Sequence, residues 1–170
     1  MSTALPEVGA LMDALAGALR GAVSAQTAIV GIHTGGVWIA ERLHRELGCA
    51  QPLGTLDVAL HRDDYGRTGL RPEMRATAIP FEVDGADILL VDDVLMTGRT
   101  IRAALNELFD FGRPARVRLA VLVDRGGREL PVAAEFTGAR LDAPGDRTVH
   151  LKRDPVSDRL WLDLTAHDHR

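Results

Sequence analysis

Two adjacent carboxylates, Asp92 and Asp93, are delivered by the apolar run Ile88-Leu89-Leu90-Val91 and followed by Val94-Leu95-Met96-Thr97-Gly98-Arg99-Thr100. A strand that ends in a Thr-Gly-x-Thr turn and opens a helix leaves free backbone amides at the helix start. With two hydroxyls beside them, these amides make a cradle for phosphate. Gly98 is expected to let the backbone approach the anion as a Cβ-bearing residue would not. Two carboxylates beside a phosphate site repel a bare anion, so the ligand must bring hydroxyl donors or a metal. A ribose phosphate brings both hydroxyls and phosphate. The turn is not the phosphate loop of nucleoside-triphosphate enzymes, because no glycine sits five residues before Gly98 and no lysine precedes Thr100. Taken alone, Thr-Gly-x-Thr fits a plain N-capped helix; the whole string from Ile88 to Thr100 favours a ligand site.

Two further junctions concentrate polar residues. His33-Thr34-Gly35-Gly36 interrupts the apolar run Thr27–Ile32 and precedes a helical pattern. The bland alternative is a tight turn. Residues 61–77 (HRDDYGRTGLRPEMRAT) are polar, hold two glycines and a proline, and show no period, which reads as a long loop. Loops of that length in compact domains are usually lids or disordered, although a charged loop can simply be solvated.

The elements that must position these residues follow from the apolar spacing. Val8, Leu11, Met12, Leu15 and Leu19 recur at helical intervals within 5–22, and Val37, Ala40, Leu43 and Leu47 do so before Gly48. Ile101, Ala104, Leu105, Leu108 and Phe109 predict a third helix, closing at Gly112-Arg113-Pro114. Strands are expected at 27–32, 54–60, 87–91, 117–123, 148–151 and 159–164. Strands alternating with helices predict an α/β fold with a mostly parallel sheet flanked by helices on both faces. In such a sheet the loops leaving the carboxyl ends of the strands line one crevice, so the three polar junctions converge.

Composition bounds the rest. The chain has 170 residues, 46% hydrophobic and 26% charged, and is expected to form one domain over 1–170. No apolar run approaches the roughly 18 residues of a membrane span, and MSTALPEVGA lacks the pattern of a signal peptide. Cys49 is the single cysteine, which excludes an intrachain disulfide and a thiolate metal cage. A cytoplasmic location is expected. The net charge of −4 gives no global attraction to nucleic acid.

The string from Ile88 to Thr100 resembles the 5-phosphoribosyl-1-pyrophosphate (PRPP) signature of type I phosphoribosyltransferases. The resemblance implies that fold, with a flexible lid loop and a small hood. It implies that Asp92 and Asp93 hold the ribose hydroxyls and that Met96, Thr97, Gly98, Arg99 and Thr100 hold the 5′-phosphate. By the same resemblance His33, Thr34 and Gly35 face the pyrophosphate, where relatives usually carry Arg or Lys. The segment 61–77 becomes a lid whose basic residue, among Arg62, Arg71 and Arg75, reaches pyrophosphate; Arg62 and Arg75 are taken as catalytic candidates. Mg²⁺ is implied, bound mainly through PRPP rather than by a protein metal site. No residue stands out as an obligatory general base.

Leu60-His61-Arg62-Asp63-Asp64, Val94–Thr100, Phe111-Gly112-Arg113-Pro114 and Ala120–Pro131 together look like the PyrR family, regulators of pyrimidine operons with uracil phosphoribosyltransferase activity. The likeness runs over about 27–165. It places the base at Val123, Asp124 and Arg125; an ion pair with Asp124 or Glu129 is the alternative for Arg125 and Arg128. Hypoxanthine–guanine enzymes carry an aspartate where this chain has Met96, which can neither give nor take a proton. The implied partners are PRPP, uracil and UMP, with a homodimer or homotetramer as the assembly. Leader RNA is a candidate partner, but the first helix (Met12-Asp13-Ala14-Leu15-Ala16-Gly17-Ala18-Leu19-Arg20) offers alanines where RNA-binding members carry polar and basic side chains. Arg125, Arg128, Arg140, Lys152 and Arg153 could instead gather into a local basic face. Weakened or absent sequence-specific RNA binding is the expectation. Two other functions compete: an RNA-binding nucleotide sensor with vestigial catalysis, and a generic sugar-phosphate-binding module.

Overall fold

The computed structural model describes residues 4–58 and 76–166. Ten elements follow one another: α1 (Val8–Leu19), β1 (Ala28–Ile32), α2 (Gly35–Leu47), β2 (Gly54–Leu56), β3 (Asp87–Leu95), α3 (Arg99–Phe109), β4 (Arg116–Asp124), β5 (Phe136–Arg140), β6 (Arg147–Arg153) and β7 (Leu160–Ala166). The first five strands form one parallel sheet in the order β2-β1-β3-β4-β5. All five residues of β1 are buried, as expected of a strand covered on both faces.

Alternation along the strands divides the core in two. Ile29, Leu89, Val91, Ala120 and Leu122 meet α1 and α2 on one face, while Val30, Ile88, Leu90 and Val121 meet Ile101, Ala104 and Leu108 of α3 on the other. The antiparallel pair β6–β7 adds Val149, Leu151, Leu160 and Leu162 to the first cluster and is the expected small hood. Because β2 lies outside β1 while β3 lies on its other side, the winding reverses between β1 and β3. Loops leaving these neighbours diverge there and open a crevice at their carboxyl ends.

The amino ends of the strands are fastened separately. Asp87 accepts from Thr27 Oγ1 (2.9 Å), Arg116 Nε (2.7 Å) and Arg118 Nη2 (3.1 Å), and Arg118 also donates to the Ala22 carbonyl (2.6 Å).

Two departures from the sequence expectations matter. β3 continues to Leu95, so Asp92 and Asp93 lie inside the strand rather than beyond it. β5 was not anticipated, because Phe-Thr-Gly-Ala-Arg has neither an apolar run nor clean alternation. Residues 59–75, which include Arg62, Arg71, Arg75 and most of the expected lid, lie outside the described residues. The flanks of that segment are anchored to each other: Thr55 and Ala78 exchange backbone hydrogen bonds of 2.8 and 2.9 Å, and the Asp57 amide donates to Thr77 Oγ1 at 3.0 Å. Among the described residues no helix is long and apolar enough to cross a membrane.

Candidate active site

The acidic pair and the glycine loop meet directly. A Cβ on Gly35 would stand 2.2 Å from Asp93 Oδ2, and one on Gly36 would stand 2.6 Å from the Val91 carbonyl oxygen and 3.2 Å from Asp92 Oδ1. Only hydrogen at these two positions lets the β1–α2 loop lie against the end of β3. The His33–Thr34 peptide bond is cis, and the His33 amide donates to the Leu56 carbonyl at 2.8 Å, which ties the loop to β2 as well. Thr34 caps α2 without a side-chain hydrogen bond to the helix, and His33 and Thr34 are half-buried.

Both carboxylates are deeper than a surface site requires: Asp92 is 1% exposed and Asp93 6%. Each turns back on the strand, with the Asp93 amide donating to Asp92 Oδ1 (2.9 Å) and the Val94 amide to Asp93 Oδ1 (2.8 Å). Both sit toward the carboxyl end of β3, beside the loop that leaves β1.

The turn after β3 leads directly into α3, with Gly98 at the N-cap. Gly98 has φ +93, and its missing Cβ would face Val132 and Leu130 at 3.1 and 3.4 Å. The left-handed backbone and the approach of the 130–132 segment both favour glycine here. Thr97 is buried, and its Oγ1 accepts from the Arg99 amide at 3.1 Å. Thr100 is half-buried in the first turn of α3, while Arg99 is exposed and paired with Glu129 at 2.9 Å.

β4 delivers the third set. Val123 is fully buried in the core. Arg125 is 5% exposed; its Nη1 donates to Met96 Sδ (3.1 Å) and its amide to the Leu95 carbonyl (3.1 Å). Its Nε is buried without a hydrogen-bond partner among the described residues. Among the described residues Arg125 forms no ion pair with Asp124 or Glu129, whereas Arg128 pairs with Asp124 at 2.6 Å. Burial pulls the Asp124 carboxyl upward. The hydrogen bonds from Arg128 and the Gly126 amide, with the charges of Arg128 and Arg140, outweigh it and hold the group below the usual aspartate value.

The structure brings Asp92, Asp93, His33, Thr34, Gly35, Met96–Thr100 and 123–125 to the carboxyl ends of β1, β3 and β4, as the topology required. Gly36, Arg128 and Glu129 belong to the same region and were not among the predicted site residues. The doubled glycine before a helix was a signal for Gly36; nothing local marks Glu129 as the partner of Arg99, 30 positions away.

A parallel sheet with this order, an acidic pair on its central strand and a Thr-Gly turn opening the next helix define a type I phosphoribosyltransferase. The model of the phosphoribosyl transferase domain matches residues 3–142. Among solved structures, a purine phosphoribosyltransferase from Pyrococcus horikoshii superposes with a TM-score of 0.61 at 26% identity, covering 79% of this chain and 83% of that one. A hypoxanthine-guanine phosphoribosyltransferase from Bacillus anthracis gives a TM-score of 0.66 at 16% identity, covering 84% and 85%, a likeness of fold alone. Sequence relatives narrow the family. The protein named bifunctional protein PyrR from Pseudomonas aeruginosa is 52% identical over 151 residues, 86% of this chain and 89% of the relative. Its namesake from Nitrosococcus oceani is 51% identical over 142 residues, 81% and 80% of the two chains. The chain belongs to the PyrR family of phosphoribosyltransferases.

Proposed function

We propose that the chain, acting as one unit over 1–170, transfers the ribose phosphate of PRPP to uracil, giving UMP and pyrophosphate. The observation that carries this reading is the packing of Gly35 and Gly36 onto Asp93 and Asp92, which sets a loop of backbone amides beside two carboxylates. Asp92 and Asp93 hold the ribose hydroxyls, the turn from Met96 to Thr100 takes the 5′-phosphate, and His33, Thr34 and Gly35 face the pyrophosphate. The base lies by Val123, Asp124 and Arg125. Arg62 and Arg75 are the proposed lid cations.

Among the described residues no group of three His, Cys, Asp or Glu side chains could hold a metal ion. The oxygen donors of Asp92 and Asp93 still suit Mg²⁺ carried in by PRPP, reached through ribose hydroxyls and waters. When bound, the ion supplies positive charge against the departing pyrophosphate. The chain's own residues orient the sugar and offer amides to the leaving group. Exclusion of water from the cleft protects PRPP from hydrolysis. Met96, whose sulfur accepts from Arg125, supports a pyrimidine over a 6-oxopurine, since it cannot exchange a proton with a purine ring.

Release of pyrophosphate from PRPP, measured with uracil, hypoxanthine, guanine and adenine, tests the assignment. Uracil is expected to turn over fastest; a faster purine would move the chain to another branch, and no turnover with any base would leave a binding module.

The relatives' name, bifunctional, favours a second role in pyrimidine-responsive attenuation through leader RNA, in a cytoplasmic homodimer or homotetramer. The exposed face of α1 carries Asp13, Ala14, Gly17 and Ala18, with Arg20 at its C-cap, and Arg125 and Arg128 are engaged by hydrogen bonds within the protein. Both support weak RNA affinity, because phosphate contacts from exposed cations normally supply much of it. Titration with the organism's own leader, with and without UMP, is expected to give no nanomolar complex that a scrambled RNA fails to give. The contrary result would make regulation the main role.

A further inference from the structure

Arg128 lies outside the acidic pair, the glycine loop and the 96–100 turn, yet its guanidinium joins three segments at once. Nε donates to the Val132 carbonyl at 2.7 Å, Nη1 to the Met96 carbonyl at 2.8 Å, and Nη2 to Asp124 Oδ2 at 2.6 Å. With its side chain 26% exposed, it is no solvated surface pair. The planar fork of an arginine can serve three acceptors in different directions, which a lysine ammonium on its flexible stem does not reproduce.

The neighbouring contacts define what Arg128 adds. The 125–130 segment already lies along the turn after β3: the Arg125 amide donates to the Leu95 carbonyl (3.1 Å), and the Glu129 and Leu130 amides donate to the Thr97 carbonyl (both 3.0 Å). The Met96 carbonyl stands between those two anchors and is taken by the Arg128 side chain. The same guanidinium grips the Asp124 carboxylate at the end of β4. Arg128 is therefore a side-chain link between the turn that opens α3 and the carboxyl end of β4, beside the bond from Arg125 Nη1 to Met96 Sδ.

We propose that Arg128 is a positioning residue for phosphoribosyl transfer, fixing the phosphate-side turn at Met96 relative to the base-side end of β4 at Asp124. The proposal rests on the transfer reading above. One ligand is held by the turn and the other by the β4 end, so their separation sets the approach of the base to the sugar carbon. A misplacement near 1 Å between reacting groups costs about a hundredfold in rate, even when each ligand binds well alone.

The test combines Arg128→Ala, Arg128→Lys and a control, Arg118→Met, which breaks a buried arginine's bond to Asp87 at the opposite end of the strands. For both Arg128 variants kcat is expected to fall roughly 10- to 100-fold, while KM for PRPP and uracil stays within about threefold. Calorimetry should still find one PRPP bound per chain. Millimolar guanidinium ion should restore part of the lost kcat in Arg128→Ala and do nothing for Arg118→Met, whose kcat per PRPP-binding chain stays at the wild-type level. Unchanged kcat in the Arg128 variants would overturn the proposal, as would full activity in Arg128→Lys. So would a loss of kcat that merely tracks a loss of PRPP-binding chains without rescue by guanidinium. A wild-type protein that turns over no base would instead defeat the transfer reading itself, and the positioning role with it.

Discussion

At the residue scale, the site is limited by space before it is limited by charge. Gly35 is set so close to Asp93 that one added methyl must displace the carboxylate. Gly35→Ala is therefore expected to lower stability by about 1–3 kcal/mol, the usual cost of overpacking, and to lower kcat/KM for PRPP more than tenfold. Thermal unfolding and initial rates on the same preparation check both halves; a fully active, fully stable variant would remove the proposed contact. Asp93→Asn keeps the size and the bond from the Val94 amide but loses the charge. Its turnover should drop by at least a factor of about ten, equal to roughly 1.4 kcal/mol of transition-state stabilisation. Because Asp92 and Asp93 are buried, these substitutions also load the fold, and circular dichroism must accompany the kinetics.

At the element scale, the turn between β3 and α3 carries the burden. Gly98 combines a left-handed backbone with Val132 at 3.1 Å, whereas Gly85 has a similar φ of +73 with open space around it. Alanine at Gly85 meets only the conformational penalty, about 1–2 kcal/mol, and alanine at Gly98 must cost more. Equal losses in Tm would show that the 130–132 segment does not press on the turn. The contrast with the sequence is instructive here. Apolar runs announced β1, β3 and β4, since strands buried on both faces have little else to be made of. The acidic pair and the Thr-Gly turn were legible because chemistry demanded those residue types together. The far end of β3 was hidden by Asp92 and Asp93, which break the apolar run while the backbone keeps pairing with Val121 and Val123. Arg128 stayed ambiguous because two of its three acceptors are backbone carbonyls, which have no signature in a side-chain pattern.

At the scale of the whole molecule, two anchored carboxylates hold opposite ends of the sheet. Burial tends to raise the Asp87 carboxyl, but hydrogen bonds from Arg116 and Thr27 and the charges of Arg118 and Arg116 keep it below the ordinary aspartate value. Asp124 is depressed in the same sense through Arg128. A carboxyl depressed by folding stabilises the native state above its unfolded pKa, and that contribution is lost as the pH falls through the folded value. Stability against urea should therefore be level from neutral pH toward about pH 5 and decline below about pH 4. Asp87→Asn combined with Asp124→Asn should start lower and decline less steeply; an unchanged acid slope would mean that these pairs do not carry it.

The placing of β3 between β1 and β4 also sets an order of assembly during synthesis. Thr27 waits for Asp87, 60 positions further along the chain, and the Gly35–Gly36 loop waits for Asp92 and Asp93. Until the ribosome has released the central strand, the first strand has β2 on one side and no partner on the other. Chains arrested before Asp87 should be cut rapidly by protease, and those arrested far enough on for Asp124 to have left the ribosome should resist it, because by then β1, β3 and β4 can pair. The ligand cleft is thus a late product of translation, closed only when its second half arrives.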